Sequence, residues 1–285
     1  MARLADYNTE NQYTALVKKS ERLTPEGTEE VREIILEVKR PDFQYEVGQS
    51  VGVLINADTE YGKQKHHRLY SVADLPAKKG RNPLIAIVVK RCAYIDDFTG
   101  ERYPGIASNF LCDQKVGAEI TMTGPFGLPF EIPEDKDTDL LLIGLGTGIA
   151  PFRAFIKHIY KNIKDWKGKV RLFYGARSGL ELLYMNDKNN DLTNYYDQDT
   201  FEAFQALSPR PHWADPIALD YALEQRSEEI LNMLDKPKTQ VFVAGHENIR
   251  EMLDKAFINM LGSEEKWERR KAELVAGKRW AEVIY

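Results

Sequence analysis

Residues 140–153, Leu-Leu-Leu-Ile-Gly-Leu-Gly-Thr-Gly-Ile-Ala-Pro-Phe-Arg, constrain the fold of this chain more than any other stretch. Four consecutive apolar residues read as a strand buried on both faces, the habit of a parallel sheet. Glycines at 144, 146 and 148 then make a turn free of side chains, and the apolar segment 149–159 reads as a helix. Strand, glycine turn and helix start together form a seat for a diphosphate. Unpaired backbone N–H groups face the anion there, and the helix dipole favours its negative charge. The spacing is Gly-x-Gly-x-Gly-x-x-Pro, with Ile149 where the common dinucleotide fingerprint has its third glycine. The loop is therefore a dinucleotide loop outside the standard Rossmann kind.

The pattern around this loop differs from the pattern before it. Up to about residue 130, short Val- and Ile-rich runs at 31–38, 50–55, 84–89 and 119–123 are bounded by Gly, Pro or Asp. Closely spaced strands of this type predict a small antiparallel β-barrel. The polar run 133–139 is the best boundary, giving domains at 1–135 and 136–285. Beyond it, strand candidates at 140–143, 170–174 and 240–244 alternate with helical stretches near 149–160, 217–234 and 247–261. That alternation predicts an α/β domain with a parallel sheet.

Composition narrows the chemistry. With 285 residues, 43% of them hydrophobic, the chain is long enough for two cores. A net charge of −5 without a basic run gives no case for nucleic acid. No apolar run reaches bilayer length, so no integral membrane segment is expected. The first residues lack the apolar core of a signal peptide, and the expected location is cytoplasmic. Cys92 and Cys112 are too few for a [2Fe–2S] cluster, which needs about four thiolates. The five histidines do not share metal-ligand spacing with cysteines or paired carboxylates, so no metal site is expected. No nucleophile elbow, zinc-protease helix or P-loop is present.

Further motifs lie in the β half. In Arg68-Leu-Tyr-Ser71, strand alternation puts Arg68 and Tyr70 on one face and Leu69 and Ser71 on the other. Arginine offers a fork of donors to a phosphate, and tyrosine a flat face to an aromatic cofactor. Taken alone, the tetrapeptide slightly favours an ordinary strand with an exposed charge. Lys90–Tyr94 follows a strand, and Gly105-Ile-Ala-Ser-Asn-Phe-Leu111 reads as a helix start with Ser108 as N-cap. Two anion-binding helix starts in two domains imply two nucleotides. The chain ends on an aromatic residue, Tyr285.

These motifs, with Gly175–Tyr184 and Val243-Ala-Gly245, stand in the order found in plant-type ferredoxin–NADP⁺ reductase, and the chain resembles that family of two-domain FAD flavoenzymes over roughly residues 45 to 285. The resemblance implies FAD in the barrel and NADP(H) in the α/β domain. Arg68 would meet the FAD diphosphate, together with the backbone of Ile106, Ala107 and Ser108. Tyr70 and Tyr285 would pack on opposite faces of the flavin, Tyr94 near the adenine, and Ser71 beside flavin N5. Tyr285 would also move aside for the nicotinamide. Ser71 and Tyr285 are thus the expected catalytic residues. Gly146, Thr147 and Gly148 would receive the nicotinamide nucleotide. Ser208 and Arg210 resemble the pair that holds the NADP 2′-phosphate, here separated by Pro209, and Tyr221 the tyrosine that stacks on its adenine. Arg177 stands where an NAD-specific protein more often has an acid.

The implied activity moves electrons between NADP(H) and a one-electron carrier, a separate ferredoxin or flavodoxin, by hydride transfer to or from FAD N5. Lys63, Lys65, His66 and His67 are candidates for steering that carrier. The alternatives are a reductase component of an oxygenase system and a non-catalytic electron-transfer or redox-sensing subunit. Three departures from the family pattern stand out. Ala244 replaces a cysteine, and Ile106-Ala107-Ser108 replaces Val-Cys-Ser. Val283 replaces a glutamate, with Glu282 one position away. Alternation in an extended segment points Glu282 away from the face that Val283 and Tyr285 share.

Overall fold

The computed structural model describes residues 7–59, 62–96, 98–127 and 130–285, with only the backbone path described at 57–59 and 62–64. The chain divides into two compact units, Met1–Leu128 and Pro129–Tyr285.

The first unit is built from strands β1 (Tyr13–Arg22), β2 (Val31–Val38), β3 (Ser50–Thr59), β4 (Gly62–Ser71), β5 (Ala77–Lys79), β6 (Asn82–Lys90), β7 (Ala93–Ile95), β8 (Arg102–Pro104) and β9 (Glu119–Phe126), with helix α1 (Ile106–Asp113). Seven of the strands form one antiparallel sheet in the order β4-β3-β9-β1-β2-β6-β5. The sheet curls onto itself just after β4, where Val72 bridges Ile87 and the Ala73 N–H donates to the Ala86 carbonyl at 2.9 Å. Closure removes the open edges that would otherwise template aggregation. Inward positions are alternate and apolar: Val51, Val53 and Ile55 on β3, Ile85, Ile87 and Val89 on β6, Ile120 and Met122 on β9. Strand β1 was not visible in the sequence, because its inward Tyr13, Ala15 and Val17 give way to the charged run Lys18–Arg22.

The second unit carries β10 (Leu140–Leu145), β11 (Val170–Ala176), β12 (Phe201–Leu207), β13 (Gln240–Gly245) and β14 (Trp280–Ile284), with helices α2 (Ile149–His158), α3 (Leu219–Glu224), α4 (Ser227–Asp235), α5 (Ile249–Leu261) and α6 (Glu264–Ala276). The sheet order is β12-β11-β10-β13-β14, and every pairing is parallel. β10 and β11 are buried along their whole length, which explains why they read as unbroken apolar runs. Chain order runs outward in both directions from β10. The crevice beyond the carboxyl ends of β10 and β13 is thus the switch point where α/β sheets bind ligands. The helix predicted over 217–234 is two helices, α3 and α4, broken at Gln225 and Arg226. Behind β13 and β14, Phe257 and Trp267 stack with centroids 4.2 Å apart, and Trp280 meets both edge-on.

Candidate functional site

In the first unit the predicted residues sit on three adjoining elements. Arg68, Tyr70 and Ser71 lie on β4, opposite Val53, Val51 and Ser50 of β3. Tyr70 is half-buried against the barrel core, and burial pushes its phenol well above the usual tyrosine value. Arg68 is exposed, and its Nη1 donates to the His67 carbonyl at 2.9 Å. Tyr94, exposed on the β7–β8 hairpin, stacks on Tyr103 at 5.5 Å.

Helix α1 begins at Ile106, and its N-cap is Gly105 with no side-chain capping bond. Ser108 is therefore not the cap that its residue type suggested. Its Oγ accepts from the Cys92 N–H at 3.1 Å and donates to the Gly105 carbonyl at 3.3 Å, tying the helix start to the end of β6. Asn109 adds two bonds of 2.8 Å, to the carbonyls of Cys92 and Gly105. The N–H groups of Ile106, Ala107 and Ser108 have no acceptor within the helix, as at any helix start. They form a donor cluster held in place by the serine and the asparagine.

On the outer face of β3 and β4, His67 lies across Gly52, with Nε2 at 2.9 Å from Thr123 Oγ1. A Cβ at Gly52 would fall 2.2 Å from that ring nitrogen, so only glycine admits the histidine there. Burial, then the charge of Arg68, hold His67 below the usual histidine value; His66 is lowered by the same causes, with His67 adding to them. Both shifts favour the neutral imidazole. Lys65 is exposed and charged; the side chain of Lys63 lies outside the described residues.

In the second unit the glycine loop is a 3₁₀ turn, Gly146–Gly148, leading into α2. Gly146 has φ +57°, open to glycine at no cost. At Gly148 the reason is proximity: a Cβ would lie 2.0 Å from the Ala244 carbonyl oxygen of β13. Beneath the loop, the buried Tyr174 hydroxyl donates to the Gly146 carbonyl at 3.0 Å and accepts from the Leu183 N–H at 3.2 Å. Arg153 anchors α2 through a forked ion pair with Asp191, the shortest bond 2.6 Å, and its guanidinium lies 4.1 Å over the Tyr184 ring.

Tyr285 reaches the same loop. Its N–H donates to the Gly245 carbonyl at 3.2 Å, and its hydroxyl shares a short hydrogen bond with Thr147 Oγ1. The ring remains exposed. Glu282 is committed elsewhere: its carboxylate accepts from Arg250 Nε at 3.0 Å and from Trp280 Nε1 at 2.7 Å.

The remaining predicted residues gather past the ends of β11 and β12. The Ser208 N–H donates to the Arg177 carbonyl at 3.3 Å, bringing the two segments side by side. Ser208 is buried, and its Oγ donates to the Asp215 carbonyl at 2.5 Å. Arg210 is exposed, with Nε 2.9 Å from Asp215 Oδ2. Arg177 is also exposed, and Tyr221 projects from α3 with 59% of its surface free. Asp215 was absent from the sequence reading; nothing in a Pro-rich turn marks its carboxylate as the partner of an arginine five residues earlier. Among the described residues, no group of three or more His, Cys, Asp or Glu could hold a metal, and no helix is long and apolar enough to cross a membrane.

Comparisons with known proteins agree with this geometry. Residues 142–255 match the model of the oxidoreductase NAD-binding domain. The chain is 28% identical over 270 residues to ferredoxin–NADP reductase of Picosynechococcus sp., covering 91% of this chain and 66% of that protein. It is 30% identical over 251 residues to the chloroplastic leaf isozyme 1 of ferredoxin–NADP reductase from Oryza sativa subsp. indica, covering 86% of this chain and 68% of that one. A solved structure of ferredoxin–NADP⁺ reductase from Plasmodium falciparum has the same fold, with TM-score 0.69 at 22% identity and 98% of both chains covered. The barrel closed at Val72, the five-stranded parallel sheet and the relatives together establish that this chain belongs to the ferredoxin–NADP reductase family.

Proposed function

We propose that this chain is a flavoprotein oxidoreductase that moves electrons between NADP(H) and a ferredoxin, or a flavodoxin, with FAD held in the barrel unit. The observation that carries the reading is the pair of anion-ready helix starts, α1 in one unit and the Gly146–Gly148 turn before α2 in the other, in a chain of this family. Residues 1–135 would form the FAD-binding domain and 136–285 the NADP(H)-binding domain.

The barrel residues suit FAD. Arg68 presents an exposed guanidinium on the same face as Tyr70, and the N–H groups of Ile106, Ala107 and Ser108 are fixed by side-chain bonds. The buried Ser50 Oγ, without a partner in the described structure, adds an unused polar group directly opposite Ser71. These residues would hold the diphosphate and the ring system, with Tyr94 on the adenine side. When bound, FAD supplies a centre that exchanges a hydride with the nicotinamide and single electrons with the carrier.

The protein's own part is to bind, orient and exclude. Gly146, Thr147 and Gly148 receive the nicotinamide nucleotide. Ser208 and Arg210 hold the 2′-phosphate by charge-assisted bonds, Tyr221 stacks on the adenine, and Arg177 adds positive charge. Tyr285 stands at the loop as a movable cover, and Ser71 passes a proton at the ring edge. Glu282 takes no part, because Arg250 and Trp280 already engage it.

The test is NADPH-driven reduction of ferricyanide and of ferredoxin-coupled cytochrome c by the purified, flavin-loaded chain. Both reactions are expected, and the ferredoxin-dependent rate should fall with added salt through exposed basic residues such as Lys65. Failure to reduce ferricyanide would remove the enzymatic reading.

A further inference from the structure

We infer that Asp215 is a specificity-determining residue: a resident carboxylate that competes with the 2′-phosphate of the nucleotide for Arg210 and sets how strongly the chain prefers NADP(H). The inference rests on the reading of Ser208 and Arg210 as the 2′-phosphate pair.

Three observations carry it. The Asp215 carboxylate accepts from Arg210 Nε at 2.9 Å, so the guanidinium that should meet the phosphate already has an anion. The Asp215 carbonyl accepts from Ser208 Oγ at 2.5 Å, so the second phosphate donor is turned toward the same residue. The intervening turn fixes this arrangement. Trp213 N–H donates to the Arg210 carbonyl at 3.0 Å, Ala214 N–H to the Pro211 carbonyl at 3.1 Å, and Ala214 is held left-handed at φ +58°. With Pro209, Pro211 and Pro216 limiting the backbone, Asp215 has little freedom to withdraw. A carboxylate and a phosphate dianion cannot share one guanidinium without repulsion, so the phosphate must displace the carboxylate. An exposed ion pair is weak, and the phosphate, carrying more charge and more acceptors, wins at a reduced margin. A dinucleotide without the 2′-phosphate meets no such competition.

The experiment measures binding of 2′-phospho-AMP and of 5′-AMP to the whole chain by calorimetry, for the native protein and for Asp215→Asn, Asp215→Ser and Arg210→Gln. Asp215→Asn keeps the carbonyl that holds Ser208 and removes only the charge; Asp215→Ser is the second, smaller replacement, and 5′-AMP binding checks that each variant is folded. Both Asp215 variants should bind 2′-phospho-AMP about three- to fivefold more tightly, with 5′-AMP changed less than about twofold. Arg210→Gln should lose roughly tenfold for 2′-phospho-AMP alone. If Arg210→Gln weakens 2′-phospho-AMP while neither Asp215 variant gains, the competition is refuted and the phosphate pair stands. If Arg210→Gln changes nothing, the phosphate pair itself is wrong and the inference falls with it.

Discussion

Tyr285 and Thr147, 138 positions apart, share a hydroxyl–hydroxyl hydrogen bond, which ties the residue that follows β14 to the middle of the glycine loop. The bond joins the two features that the proposed reaction must coordinate. In the proposed reaction a nicotinamide nucleotide entering the Gly146–Gly148 turn would engage Thr147, and its arrival would displace Tyr285. On that reading, binding and uncovering would be one event.

Tyr285→Phe tests that coupling. The ring stays and the bond to Thr147 goes. A neutral hydrogen bond contributes about 0.5–1.5 kcal/mol net, so displacement of the ring should become easier by a comparable amount. NADP⁺ is expected to bind about two- to tenfold more tightly, with flavin content unchanged, as read by difference absorption titration. Equal affinity in the two proteins would show that the bond does not oppose nucleotide entry.

The proton path should depend on Ser71 and not on Glu282. Ser71→Ala is expected to slow NADPH-driven flavin reduction by roughly 10²-fold, the usual scale for removing a positioned proton-transfer group. Glu282→Gln weakens a half-buried pair with Arg250 and should lower stability by about 0.5–1 kcal/mol while leaving the rate within about twofold. Stopped-flow absorption for both variants, with denaturant melts, decides the matter; comparable rate losses would return Glu282 to the mechanism.

Gly148→Ala should damage the second unit alone. The added Cβ would meet the Ala244 carbonyl at 2.0 Å, and neither backbone can retreat without moving β10 against β13. Overpacking of this kind costs about 1–3 kcal/mol. NADP⁺ affinity should fall by roughly tenfold or more, whereas flavin binding in the barrel should be retained.

Acid stability of the barrel should report on Glu37. Hydrogen bonds from Asn82 and Lys18 hold its carboxyl down at about 2, against an ordinary value of 4.5. A depressed carboxylate binds fewer protons in the native state than in the unfolded state. Its contribution is therefore complete above about pH 4.5 and is lost as pH falls toward 2. Glu37→Gln should destabilise the chain at neutral pH, and the difference from the native protein should shrink across that window. A difference independent of pH, measured by urea unfolding at several pH values, would contradict the assignment.

What the sequence disclosed follows from how locally each feature is determined. β10, β11 and β13 were legible because burial on both faces demands unbroken apolar runs, and the glycine loop because backbone proximity excludes side chains at Gly148. β12 escaped notice because only Phe201 and Ala206 are buried in its seven residues. Helix α6 is so charged that Trp267 and Leu274, its two buried residues, were easily overlooked, although Ser263 caps it in the expected way. The site divided likewise. Arg68, Tyr70 and Ser71 share a strand and could be found together, whereas the bonds of Asp215 to Ser208 and Arg210, of Tyr174 to Gly146 and of Tyr285 to Thr147 depend on turns and tertiary packing. No period or spacing encodes these contacts. The cap assigned to Ser108 failed for a similar reason: Gly105 is the N-cap, and the serine is used one turn later to hold Cys92.

The central claim is that the barrel holds a flavin that NADPH reduces through the second unit, and the visible absorption spectrum of the purified chain tests it directly. The account predicts a yellow protein, as isolated or after reconstitution with FAD, whose flavin bands bleach when NADPH is added without oxygen. A colourless chain that takes up no FAD, or a bound flavin that NADPH leaves oxidised, would contradict it.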